Sequence, residues 1–121
     1  MKKILVIDDQ VEVIDIIEEF LYRKYEIYAA KTTARAISML RTNNFDLILL
    51  DILLPGMNGM EFLQYTREQS WYDNTPVIFM SSESSFKIVN QAAHLSPDGY
   101  IKKPIEKELL LEKIQAVIGG Y

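Results

Sequence analysis

Short apolar runs alternate with helical patterns along the chain, and the alternation recurs five times. Residues 4–7 (Ile-Leu-Val-Ile) read as the first strand. Val13, Ile17, Phe20 and Leu21 follow at helical spacing, with Glu12, Asp15, Glu18 and Glu19 on the opposite side. Residues 25–29 form a more polar strand, as expected at a sheet edge. Residues 33–42 read as a short helix with Ala36, Ile37 and Leu40 facing inward. Residues 46–50 are a third strand. A helix over 58–69 begins at Asn58, with Glu61 at capping-box spacing. Residues 76–80 are a fourth strand, 85–94 a helix, and Ser96-Pro97-Asp98-Gly99 a turn. Residues 100–102 make a short fifth strand that Pro104 ends. The last helix covers 106–118, with Leu110, Ile114, Val117 and Ile118 inward; Gly119-Gly120 ends it or opens a linker.

Strand and helix alternating in this way imply a parallel sheet with helices on both faces. Right-handed crossovers leave few topologies. With 25–29 at an edge, the pattern predicts a doubly wound, five-stranded α/β domain of flavodoxin-like order 2-1-3-4-5. Residues 1–121 read as one domain, without internal repeat or low-complexity segment. At 121 residues the chain is long enough for a real core, and 49% apolar with 25% charged residues is ordinary for a globular domain. The formal charge, 13 − 17 = −4, argues against direct contact with nucleic acid or an anionic membrane. Without cysteine there is neither a disulfide nor a thiolate metal site. Four apolar residues before Asp8-Asp9 are too few for a signal sequence, and no run approaches a membrane span. The expectation is a soluble cytoplasmic domain.

Chemistry collects at the predicted carboxyl ends of the strands, where parallel sheets bind ligands. Asp51 ends the run Leu47-Ile48-Leu49-Leu50, just before Pro55-Gly56 and Asn58-Gly59. Asp8 and Asp9 end the first strand, Ser81 the fourth, and Lys103 follows the fifth. Each has an ordinary explanation alone: Asp9 with Glu12 three residues on is a candidate helix cap, Ser81 a turn serine, Lys103 a solvated charge. Two adjacent acids repel each other, and a hard cation relieves that. If the first and third strands are neighbours, Asp8, Asp9 and Asp51 share a shallow pocket suited to Mg²⁺, to which the Leu53 carbonyl could add an oxygen. Alternation along the strand turns Lys103, rather than Lys102, toward the acids. Carboxylates, a hydroxyl and an ammonium around a divalent cation make a phosphoryl-handling site, with an aspartate able to carry an aspartyl phosphate. Neither G-x-x-x-x-G-K nor G-x-G-x-x-G occurs, so the phosphoryl donor comes from outside.

Ile7-Asp8-Asp9, Asp51 with Pro55-Gly56-Met57-Asn58-Gly59, Met80-Ser81, and Tyr100-Ile101-Lys102-Lys103-Pro104 together resemble the signature of the receiver domain of two-component response regulators. The resemblance covers essentially the whole chain. It implies that Asp51 accepts a phosphoryl group from a phosphohistidine on a sensor kinase or phosphotransfer protein. It further implies that Asp9 and the Leu53 carbonyl hold Mg²⁺, with Asp8 acting through water. Lys103 would contact the phosphoryl group and Ser81 move toward it. Tyr100 would then rotate inward and change the face made by the fourth helix, fifth strand and fifth helix. That face would meet an output domain or protein, or a second copy of the chain. Ser96-Pro97-Asp98 and Ile105 depart from the commonest family pattern at the output side, not at the chemistry.

Two other classes compete. An aspartyl-nucleophile phosphohydrolase carries a second acid two residues past the nucleophile, where this chain has Leu53. A receiver-fold binding module that works without phosphorylation typically lacks an acid, the acceptor or the lysine, and all are here. The expectation is a switch that catalyses only its own phosphorylation and dephosphorylation. Leu53 and Glu83, each two residues past a site residue, are expected to border the path of an attacking water and to tune phosphoryl lifetime. His94 is expected at the surface, not as a phosphocarrier.

Overall fold

The computed structural model describes residues 1–82 and 86–120, and of residue 86 the backbone alone. Its elements run β1 (Lys3–Ile7), α1 (Val11–Leu21), β2 (Glu26–Ala30), α2 (Thr33–Thr42), β3 (Leu47–Asp51), α3 (Gly59–Arg67), β4 (Val77–Ser81), α4 (Phe86–Ala93), β5 (Gly99–Lys102) and α5 (Lys107–Ile118). All strands are parallel, in the order β2-β1-β3-β4-β5. This is the expected topology. The expected start of α4 at Ser85 lies outside the described residues.

Strand alternation divides the core in two. Leu5, Ile7, Ile48, Leu50, Val77 and Phe79 join Ala36, Leu40 and Phe62 on one face of the sheet. Ile4, Val6, Leu47, Leu49, Ile78 and Met80 join Ile14, Ile17, Leu110 and Ile114 on the other. Burying such a Leu or Ile stabilises by about 1.5–3 kcal/mol. β3 and β4 are buried throughout, while β2 at the edge is mostly half-exposed.

The helices sit a little differently from their sequence pattern. In α1 the buried residues are Ile14, Ile17 and Leu21, with Val13 and Phe20 only half-buried. In α2 Met39 replaces Ile37 as a buried residue. A broad sheet admits a wide apolar stripe, and rotation of the helix within it is a packing outcome. Asn58 and Glu61 form the expected capping box. Asp9 caps nothing: Gln10 is the N-cap of α1, without a side-chain bond. Gly119 ends α5 at φ +85°, a conformation that favours glycine. Asp46 lies outside β3; its N–H donates to Lys3 O at 2.8 Å and its Oδ2 accepts from Lys3 N at 2.7 Å. At the same end Asp98 N donates to Val77 O and Asp98 Oδ2 accepts from Val77 N, which pins β5 to β4.

Candidate functional site

The carboxyl ends of β1, β3 and β5 are each prolonged by a ladder bond that fixes the residue beyond the strand. Asp8 N donates to Ala30 O, Ile52 N to Met80 O, and Lys103 N to Ser81 O. Gly59 N donates to Ile52 O at 2.7 Å, so the start of α3 is seated directly on the segment after Asp51. A Cβ on Gly59 would lie 2.2 Å from the Asp51 carbonyl oxygen, so this approach requires glycine. The Lys103–Pro104 peptide is cis.

These bonds bring Asp8, Asp9, Asp51 and Lys103 together. Carboxylate oxygens of the three acids lie within 4.8 Å of one another, with Asp8 and Asp51 buried and Asp9 exposed. Lys103 Nζ stands 2.8 Å from Asp8 Oδ2 and 3.4 Å from Asp51 Oδ2. The expectation that Lys103 rather than Lys102 faces the acids holds; Lys102 is exposed. The Asp8 contact is an ion pair only, and Oδ2 makes no hydrogen bond although it is fully buried. Asp51 Oδ1 accepts from Leu53 N at 3.2 Å. Burial, and secondly the charge of Asp8, raise the Asp51 carboxyl above its ordinary value; Lys103 and the Leu53 N–H oppose this.

The donor set fits a divalent cation. Three carboxylates outnumber the single ammonium, and Asp8 Oδ2 is buried with a lone pair that no hydrogen bond occupies. All the donors are hard oxygens, which suit Mg²⁺ or Ca²⁺ rather than a soft metal.

A cavity of about 200 Å³ opens over Asp51, lined by Asp9, Gln10, Leu53, Ser82 and Lys103. Ser81 is fully buried at the end of β4, and Ser82 stands at the mouth instead. Tyr100 pairs in register with Phe79 and lies half-buried beside a groove of about 290 Å³ lined by Val89, Ala93, Ser96, Pro97 and Gly99. Leu53 is 51% exposed and lines the cavity. Glu83, its proposed counterpart, lies outside the described residues. His94 is exposed. Gln10 was not evident from sequence: its Oε1 accepts from Lys103 Nζ at 2.9 Å. The two are 93 positions apart, and only the convergence of the loops after β1 and β5 at the carboxyl edge of the sheet reveals the contact.

A profile of the response regulator receiver domain matches residues 4–115. The chain is 33% identical over 120 residues to an uncharacterised transcriptional regulatory protein, YrkP, of Bacillus subtilis, covering 98% of this chain and 50% of that one. It is 31% identical over 117 residues to the regulatory protein VanRB of Enterococcus faecalis, covering 96% and 52%. It thus spans about half the length of the curated relatives it matches. Among solved structures, chemotaxis protein CheY4 of Vibrio cholerae superposes with a TM-score of 0.87 at 30% identity, covering 97% of this chain and 98% of that one. No helix among the described residues is long and apolar enough to cross a membrane. With the sheet order, the acid cluster and the lysine all in place, the chain belongs to the response regulator receiver domain family.

Proposed function

We propose that this domain is a phosphorylation-activated signalling switch whose acceptor is Asp51. One observation carries the reading: Lys103 bridges Asp8 and Asp51 inside a three-carboxylate cluster that opens onto a small cavity. An Asp51 carboxylate oxygen attacks the phosphorus of a phosphohistidine. The new P–O bond forms as the P–N bond breaks, and the imidazole leaves with the electron pair. Lys103 orients and neutralises the transferring group, and the walls of the cavity limit its approach to one line. Asp8, Asp9, Asp51 and the Leu53 carbonyl would hold Mg²⁺, which supplies charge neutralisation on the equatorial oxygens when bound. In dephosphorylation, water attacks the same phosphorus, the bond from phosphorus to the Asp51 oxygen breaks, the carboxylate leaves with the electron pair and inorganic phosphate departs. No other substrate is turned over, so the domain is a switch and not an enzyme in the usual sense.

The donor is a sensor histidine kinase or a phosphotransfer protein in the cytoplasm. The phosphoryl group draws Ser81 toward it and Tyr100 inward, shifting the population toward a second state of the α4-β5-α5 face. That face meets an output domain, an output protein or a second copy. The net charge of −4 speaks against a direct nucleic-acid contact by this domain. Lys103 within reach of Asp51 speaks against a phosphorylation-independent binding module. Apolar Leu53 speaks against a phosphohydrolase.

The test is incubation with a small phosphodonor and Mg²⁺, followed by intact-mass measurement of wild type and Asp51→Asn. One phosphoryl adduct is expected on wild type and none on the variant. Absence from both, under conditions that label a known receiver, overturns the reading; equal labelling of both moves the acceptor elsewhere.

A further inference from the structure

The Lys103 ammonium has three N–H donors. Among the described residues it forms ion pairs with Asp8 Oδ2 and Asp51 Oδ2 and donates a hydrogen bond to Gln10 Oε1. Two of these belong to the acid cluster, and Asp51 is itself the reacting group. Gln10 is the neutral third, with no part in the chemistry proposed above.

Its placement is fixed from both sides. Gln10 N donates to Asp8 Oδ1 at 2.9 Å. Gln10 O accepts from Val13 N at 3.1 Å and Ile14 N at 3.2 Å, closing the first turn of α1. The backbone is thereby locked between the first acid and a helix, and the exposed side chain extends across the cavity mouth to Lys103. A helix N-cap usually carries a side-chain bond of its own, and Gln10 makes none. Its amide is directed at the lysine instead. A neutral acceptor suits this position, because a carboxylate there would repel the dianionic phosphoryl group as it approaches.

We propose that Gln10 is a positioning residue: it holds Lys103 at the cavity mouth over Asp51 through an acceptor that neither a cation nor the phosphoryl group competes for. The proposal rests on the phosphorylation reading, and its test separates the two. Gln10→Met keeps the length of the side chain and removes the acceptor; Gln10→Glu restores an acceptor. The nitrogen–hydrogen correlation signal of the Lys103 ammonium, recorded on metal-free protein, reports how firmly the lysine is held whatever the activity. It is expected to broaden or vanish in Gln10→Met and to persist in Gln10→Glu. Gln10→Met is also expected to slow labelling of Asp51 by about three- to tenfold, the effect of losing one partly exposed charge-assisted hydrogen bond. The slowing should be equal for a small phosphodonor and for a histidine kinase, with an unchanged melting temperature. An unaltered Lys103 signal in Gln10→Met overturns the proposal. So does slowing seen with the kinase alone, which would make Gln10 a docking contact. Failure of wild type itself to be labelled refutes the phosphorylation reading, while the Lys103 signal still decides the role of Gln10.

Discussion

At the amino end of the sheet, polar groups close the fold. Asp46 and Asp98 clamp neighbouring strands, Tyr25 Oη donates to Gly119 O at 3.0 Å, and Lys2 Nζ donates to Ile118 O. At the carboxyl end of the same strands, Asp8, Asp9 and Asp51 crowd around one ammonium, and a buried carboxylate oxygen lacks a hydrogen bond. One end satisfies its polar groups and the other holds them in conflict. A cation placed among these acids would relieve the negative charge that the fold has gathered. Stability is concentrated where no ligand is needed, and chemistry where the fold is electrostatically poor.

Four substitutions test this contrast. The largest effect is expected from Gly59→Ala, whose Cβ would meet the Asp51 carbonyl oxygen at 2.2 Å and the Ile52 Cα at 2.9 Å. Both obstacles are backbone, so α3 or the loop after Asp51 must shift. The cost should reach about 3 kcal/mol, with a melting temperature lower by roughly 10 °C. Calorimetry measures this, and a change under a degree would mean that α3 is not seated as described.

Leu53→Asn puts a water-orienting amide at the cavity. Phosphoryl lifetime should shorten by about tenfold, equivalent to one added hydrogen bond in the transition state for hydrolysis. Timed loss of the adduct by mass reads it directly. At the opposite end, Tyr25→Phe removes the donor to Gly119 O and leaves a part-buried carbonyl unpaired. A loss of about 1 kcal/mol in urea unfolding is expected, with labelling of Asp51 unaffected. Reduced labelling would show that the two ends are coupled.

The smallest shift has the opposite sign. The Asp51 carboxyl is raised above its ordinary 3.8, first by burial and then by Asp8. The folded chain therefore holds that proton more tightly than the unfolded chain does, and ionisation weakens the fold. Stability from this group is full below 3.8 and is lost as pH rises through the folded value. In metal-free buffer at neutral pH, Asp51→Asn should unfold at higher temperature than wild type. The gap should close as the solution is acidified. A wild type more stable than the variant at neutral pH would mean that Lys103 outweighs burial and Asp8.

The sequence by itself determined the order of elements, the central strands and the principal charged groups. Apolar runs as continuous as Leu47–Leu50 are tolerated only where both faces of a strand are covered, and a carboxylate ending such a run has to sit at its rim. Lys103 could be chosen over Lys102 because alternation along a strand is a local property. Helix rotation was not legible: Met39 and Ile37 are equally apolar, and only packing selects between them. Asp9 shows the same limit, because its sequence spacing suits a cap while the chain's path gives that position to Gln10. Tertiary structure alone decided that Ser82 rather than Ser81 lines the mouth, that Gly59 seats α3 on the segment at Asp51 and Ile52, and that Gln10 reaches Lys103. Each depends on the distance between groups far apart in sequence, and folding sets that distance by burying the sheet between its two layers of helices.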